Sequence, residues 1–541
     1  MFKKTALFTM LLAAAVGSSF AQSRVFKEVG KQISSKVEPI MQDNNLVGYI
    51  MFTQLEKVSK DSFSYKLDFL DENLNDIGNY SFRDINLSIQ EAIFDNDVLL
   101  IGYLRTDLPN AINPFTYNKV KNEAQSSIYF QFLSLTGKMI KEVSEPVKLL
   151  FYVTDPSSSS NKFNGILKNH LRLQNIPGKG FAYSYGDGEM ELYLNFFSMM
   201  RTNSKVDANS KEVVGLFDYS GERKWEKTLP DAKSKSLEIK AAGNYIYTLR
   251  HTAVAAVDGG YETLCMDIQN GDIVKRVELK DKKDRQFEVL HFANNPKDNQ
   301  PIISGTIINK KLETTGSATK KMAHTKKPPR VGLFSMKFQD TSLIAHSTTW
   351  DKESKSSFVR SDGWLAKTGT YVDMTHSFSD VNGNVYYVGS GIQKKTRWVN
   401  VGISIATAPT LLIPYALLGT GIFKYKYAQM MVLKESPDGK LSFYGTMKYD
   451  NSIFFPGQTP SYRLTAYNKK NYFNVNQNKY LVLNDVKNVY IYDIDTKNVV
   501  KTIPHKKGST ISNVFRAKDG FIMISEYNAN EKSTKLSIEA L

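Results

Sequence analysis

One pattern recurs through most of the 541 residues: a short apolar run, a variable linker, a second run, a polar turn and a third run. One copy is GNYIYTLRH followed by ETLCMDIQNGDIVKRVEL; another is NKYLVLNDV followed by NVYIYDIDTKNVVKTI. Others are DVLLIGYLR with SIYFQFLSLTGKMIKEVS, EMELYLNFFS with EVVGLFDYSGERKWEKTL, and GNVYYVGSGI with AQMMVLKESPDGKLSFYGTM. The runs are rich in Val, Ile, Tyr and Phe, residues that suit a pleated, half-buried surface. In VYIYDI, Val489, Ile491 and Asp493 fall on one face and Tyr490, Tyr492 and Ile494 on the other. The turns carry Thr136-Gly137, Ser220-Gly221, Asn270-Gly271, Asn382-Gly383 and Asp438-Gly439, which supply the positive φ of a tight reversal. The chain is therefore expected to be all-β and antiparallel.

Weaker copies of the unit bring the number to seven or eight, with amphipathic helices nearly absent between them. Repetition of this kind fits radial packing in one body, since such a unit cannot bury its apolar faces alone. In pattern, the stretch from about Val47 to Leu541 resembles the β-propeller superfamily, and the expectation is a single propeller of seven or eight blades. The Gly-His signature of WD40 blades is missing and Trp-Asp occurs once, at Trp350-Asp351, rather than blade by blade; the Asp-box of sialidase-type blades is missing too. One or two β-sandwiches would give the same strand–turn–strand grammar and remain the competing architecture. Residues 22–46 read as a lead-in that adds a strand to close the ring.

The N-terminus, MFKKTALFTMLLAAAVGSSFAQ, has the order of a secretory signal. Lys3 and Lys4 form the basic region, Ala6 to Val16 the apolar region, and Ser19 and Ala21 the small-x-small cleavage site. Residues 1–21 are expected to be removed, and no cysteine follows Ala21 to take a lipid anchor. The junction and the Lys-, Asn- and Tyr-rich chain after it resemble exported proteins of the Bacteroidota type. The expected location is periplasm, cell surface or medium. A single cysteine, Cys265, allows no internal disulfide and reads as a small buried hydrophobe.

Two segments break the pattern. Trp398 to Phe423 carries no charge and is flanked by Lys394, Lys395, Arg397, Lys424 and Lys426. Pro409 and Pro414 break any helix there, and strand units continue on both sides. It reads as an insertion between two strands of one blade, as a surface that docks on a membrane or partner, or, by its length and apolarity, as a membrane span. Residues 309–330 hold Lys310, Lys311, Lys320, Lys321, Lys326, Lys327 and Arg330 against the single acid Glu313. The expectation is a second insertion whose Lys320, Lys321, Lys326, Lys327 and Arg330 are candidates for contact with anionic groups. No aromatic residue interleaves with them, so nucleic acid is not an expected partner.

No local catalytic signature is present. The seven histidines include no His-x-x-x-His pair, and there is no Gly-x-Ser-x-Gly elbow or phosphate-binding loop. Glu288 and His291 make one Glu-x-x-His match in the strand-like run FEVLHF, where they would face opposite ways. Asp493 and Asp495 read as turn-holding residues. No metal or other cofactor is expected. The reading is a monomeric, non-enzymatic binding module of the cell envelope whose partner is a protein or glycan. Two alternatives stand beside it. One is a propeller glycan hydrolase or lyase with its site in the central funnel. The other is an envelope component docked on the membrane through residues 398–423.

Overall fold

The computed structural model describes residues 22–27, 34–42, 45–59, 62–107, 125–147, 150–153, 171–187, 189–194, 202–206, 211–229, 235–251, 260–279, 286–308, 330–350, 358–360, 363–396, 423–448, 453–454, 473–475, 478–484, 488–506, 509–518, 520–528 and 530–541. They form an eight-bladed β-propeller. Blade 1 runs from the inner strand Ser34–Gln42 through Asn45–Lys57 and Phe63–Asp71 to the outer strand Asp76–Asp84. Blade 2 is Leu87–Asp95, Val98–Thr106, Ser126–Leu133 and Met139–Pro146; blade 3 is Arg172–Ile176, Gly180–Asp187, Lys211–Phe217 and Arg223–Thr228. Blade 4 is Lys235–Ala242, Tyr245–His251, Tyr261–Asp267 and Ile273–Leu279; blade 5 is Gln286–Asn294, Pro301–Ile308, Arg330–Gln339 and Ser342–Thr349. Blade 6 is Thr370–Ser379, Val385–Thr396, Phe423–Glu435 and Leu441–Lys448, extended by the short strands Trp364–Leu365 and Ile453–Phe454. Blade 7 is Phe473–Val475, Asn478–Asn484, Asn488–Asp493 and Asn498–Pro504.

Blade 8 closes the ring. Its strands Ser509–Arg516, Phe521–Asn528 and Ser533–Ala540 are completed by Gln22–Lys27, which pairs antiparallel with Ser533–Ala540 from Gln22 opposite Ile538 to Lys27 opposite Ser533. Residues 22–46 thus supply the outer strand of blade 8 and the inner strand of blade 1.

The reason for this arrangement is burial on both faces of each blade. Val98–Thr106 and Ser126–Leu133 are buried along almost their whole length, because a neighbouring blade covers each side. Their sequences are correspondingly unbroken in apolar character. The outer strand Met139–Pro146 instead alternates half-buried and exposed. Eight apolar clusters result, one in each seam between consecutive blades. The closing seam packs Val37, Tyr49, Met51 and Leu70 of blade 1 against Phe515, Met523, Leu536 and Ile538 of blade 8. There the Tyr49 hydroxyl donates to the Arg516 carbonyl at 2.9 Å. Cys265 is buried in the seam of blades 4 and 5, where burial pushes its thiol up to about 11.

Alternating strand direction sorts the connections onto two faces. Those joining first to second and third to fourth strands are tight turns, such as 72–75, 134–138 and 218–222, the longest being 295–300. The five turn glycines picked out by sequence, at 137, 221, 271, 383 and 439, all take φ between 75° and 86°. An acidic side chain commonly holds these turns: Asp218 Oδ1 accepts from the Ser220 and Glu222 amides, and Asp380 Oδ1 from those of Asn382 and Asn384. Asp493 does the same for Asp495 at 2.8 Å. The opposite face carries the long connections 107–125, 147–171, 188–210, 309–329, 397–422 and 449–472. Two of them contribute an extra three-stranded sheet: Leu150–Val153 lies parallel to Glu189–Leu194, which pairs with Thr202–Val206.

Candidate functional site: the channel mouth

The inner strands of consecutive blades meet around a central channel. A local irregularity recurs in them. The pairing register slips between Ile89 and Glu91, Ser236 and Glu238, Val289 and His291, Met374 and His376, and Ile511 and Asn513. Each slip is a β-bulge that leaves one residue unpaired and re-aims the side chains beyond it. In all five strands the next paired residue is polar: Glu91, Glu238, His291, His376 or Asn513. The unpaired residue is the third or fourth of its strand in blades 2, 4 and 8, the middle one in blade 5 and just past the middle in blade 6.

The bulge at Leu290 changes the geometry expected for the Glu-x-x-His match. Glu288 stands opposite Thr306 and His291 opposite Ser304, so the two share a face. Simple alternation had put them on opposite faces; the extra residue reverses that. Glu288 Oε2 accepts from the Thr306 hydroxyl at 2.9 Å.

Around blades 1 to 4 the charges at the mouth are tied to one another. Lys36 pairs with Glu38 at 2.9 Å and donates to the Ile89 carbonyl of blade 2 at 3.2 Å. Glu91 Oε2 accepts from the Leu173 amide of blade 3 at 2.7 Å. Arg172 of blade 3 reaches Glu238 of blade 4 at 3.7 Å, and Lys240 lies 3.8 Å from the same carboxylate. Lys240 also donates to Gln174 of blade 3 at 3.4 Å. Acids and bases thus alternate and stitch blade to blade. Desolvation pushes the Lys36 ammonium down to about 8, against the opposing pull of Glu91. In blade 6 the His376 Nδ1 is 2.8 Å from the Thr375 hydroxyl, and burial holds its imidazolium down at about 4. Chemically this mouth offers alternating hydrogen-bond donors and acceptors, with its carboxylates already engaged. Among the described residues no group of three or more His, Cys, Asp and Glu side chains could hold a metal ion.

The sequence candidates are placed differently. Lys320, Lys321, Lys326 and Lys327 lie outside the described residues. Arg330 opens the third strand of blade 5, opposite Ile308, where the 309–329 connection returns. Residues 398–422 also lie outside the described residues, between Thr396 and Phe423, which face each other in blade 6. Both connections belong to the long-connection face. Among the described residues no helix is long and apolar enough to cross a membrane. The inner-strand residues Lys36, Glu91, Arg172, Glu238 and His376 were not legible as a set, since they come from five blades. The recurring polar residue after each bulge was the available signal, and a bulge leaves no mark in composition.

Residues 1–140 match a family of unknown function (DUF6770). No curated protein matches the chain. Among solved structures, it is similar to cobalt-substituted ACO from Synechocystis, at 10% identity over 58% of this chain and 62% of that one, with a TM-score of 0.33. It is similar to an acylaminoacyl peptidase of Pyrococcus horikoshii, at 8% identity over 82% and 49% of the two chains, with a TM-score of 0.35. It is also similar to the WD40 domain of SCAP from fission yeast, at 8% identity over 94% and 98%, with a TM-score of 0.31. The chain spans less than two thirds of the length of the first two.

Proposed function

We propose that this chain is an exported, monomeric, non-enzymatic β-propeller that binds an envelope protein or glycan through its long-connection face. The observation that carries the reading is the division of the two faces. One face carries tight turns, several of them held by their own side chains, while the other carries every long connection and the extra sheet. Rigid scaffolds concentrate recognition on such connections. The alternating charges of the mouth support binding over hydrolysis, because Glu91 and Glu238 are spent in inter-blade contacts. A glycosidase needs a carboxylic acid and a second carboxylate directed at the substrate. Export rests on the secretory order of residues 1–21. The uncharged 398–423 segment and the basic residues Lys320, Lys321, Lys326, Lys327 and Arg330 would extend the binding surface on that face.

The test is cross-linking of the full chain in intact envelopes, with mass-spectrometric mapping of the linked lysines. The expected cross-links fall on the long-connection face, and replacing 309–329 and 397–422 by short Gly-Ser turns removes them while the ring stays folded. Cross-links on the tight-turn face would overturn the reading. So would turnover of a glycan that is lost in Glu91→Gln or Glu238→Gln.

A further inference from the structure

Blades 1 and 2 do not close fully at their outer strands. Between Asp76–Asp84 and Met139–Pro146 lies a cleft of about 550 Å³, lined by Tyr80, Phe82, Asp84, Arg105, Tyr129 and Glu142, and also by Arg83, Val143 and Ser144. Strand alternation builds its walls. Tyr80, Phe82 and Asp84 project from one side of the outer strand of blade 1; Glu142 and Ser144 project from the facing side of blade 2, while Val143 turns toward blade 3. The cleft sits toward the long-connection end of the seam, since Asp84 ends its strand there and Arg105 nearly ends its own.

The two walls differ in chemistry. Tyr80 and Phe82 are stacked with centroids 5.3 Å apart and an interplanar angle of 21°, a half-exposed aromatic platform. Behind it, Phe82 stacks on the buried Tyr65 at 5.5 Å, so the platform is held from below. The opposing wall is polar and wired to a buried amide. Gln131, fully buried, accepts from the Tyr103 hydroxyl at 2.8 Å and donates to the Tyr129 hydroxyl at 3.1 Å and to Glu142 at 3.4 Å. Asp84 accepts from Arg105 Nε at 2.6 Å, which fixes both heads at the inner end. Glu142, exposed, is near enough to the Tyr80 phenol to add to the effect of burial in raising its pKa.

We propose that this cleft is a saccharide-binding site, and that the ligand is a neutral sugar unit of a larger glycan. A pyranose ring has an apolar C–H face and a rim of hydroxyls, and this cleft has one aromatic wall and one polar wall. The lining arginines Arg83 and Arg105 are matched by Asp84 and Glu142, so the site selects no net charge. Its volume suits one or two sugar units, within the usual range of about 300–1,000 Å³ for small-molecule sites. The platform supplies rigid stacking area at low entropic cost, and the prewired Glu142, Tyr129 and Arg105 heads supply directional hydrogen bonds.

This inference deepens the binding reading and rests on it, and its test is separate from the cross-linking. The full chain is probed on an array of immobilised neutral and acidic oligosaccharides, and the affinity of the best free oligosaccharide is measured by titration calorimetry. Wild type is expected to retain at least one neutral oligosaccharide. Tyr80→Ala should weaken it about tenfold, the scale of one lost aromatic contact. Glu142→Gln should weaken it less, and Ser144→Trp, which fills the cleft from its polar wall, should abolish it. Near-UV circular dichroism and an unchanged melting temperature establish that each variant is folded. Retention of acidic glycans alone, of no glycan, or binding that survives Ser144→Trp would overturn the proposal. Any of these, with cross-links still on the long-connection face, would leave the binding reading standing.

Discussion

Arg250 is a fully buried guanidinium in the seam of blades 3 and 4. Its Nε lies 2.8 Å from Glu212 of blade 3, and its Nη1 lies 2.9 Å from Glu262 of blade 4, which Arg276 also approaches at 3.3 Å. Removing the guanidinium leaves Glu212 and Glu262 without the buried charge that lies between them. Arg250→Met is expected to cost about 3–5 kcal/mol in urea unfolding, and adding Glu212→Gln and Glu262→Gln should recover much of it, because the triad as a whole stabilises little. His376 governs a different variable. Its folded-state pKa of about 4 lies below the ordinary 6.5, so the unfolded chain takes up the proton first as pH falls. Stability from this group is complete above about 6.5 and declines as pH falls toward 4. His376→Gln should flatten that part of the stability curve, read as the denaturation midpoint at about pH 7 against about pH 4.5; an unchanged slope would assign the acid sensitivity elsewhere.

Among the elements, the strand Gln22–Lys27 has a role out of proportion to its length, since among the described residues it alone covers the edge of Ser533–Ala540. Deleting residues 22–27 should lower the melting temperature by several degrees and promote association through the bared edge, measured by calorimetry and light scattering. A deletion variant that melts like the full chain and stays monomeric would show the latch to be dispensable. The strands themselves were largely legible in sequence, for a physical reason. Runs such as VLLIGYLR and SIYFQFL are apolar throughout because both sheet faces are covered, and turns such as Ser220-Gly221 need a residue that accepts positive φ. Blade number was legible only as seven or eight. Blade 1 takes its inner strand from SSKVEPIMQ, whose mixture of Lys36, Glu38 and Pro39 hides a strand that faces the channel. The cleft was not legible either: Tyr80 and Phe82 look like ordinary alternating strand residues, and only the neighbouring blade makes them the wall of a recess.

At the scale of the molecule, eight seams of similar construction share the burial, and no single core dominates. Such a body keeps its shape while its connections vary, which separates the work of folding from the work of recognition. The latch of blade 8 also sets a clock. Gln22 and Ile538 are neighbours across one ladder although almost the whole chain separates them. At about 5–20 residues per second of synthesis, the first of these strands waits on the order of half a minute to two minutes for its partner to be made. Throughout that interval the nascent polypeptide is an open arc with two raw ends, a period in which chaperones have something to hold.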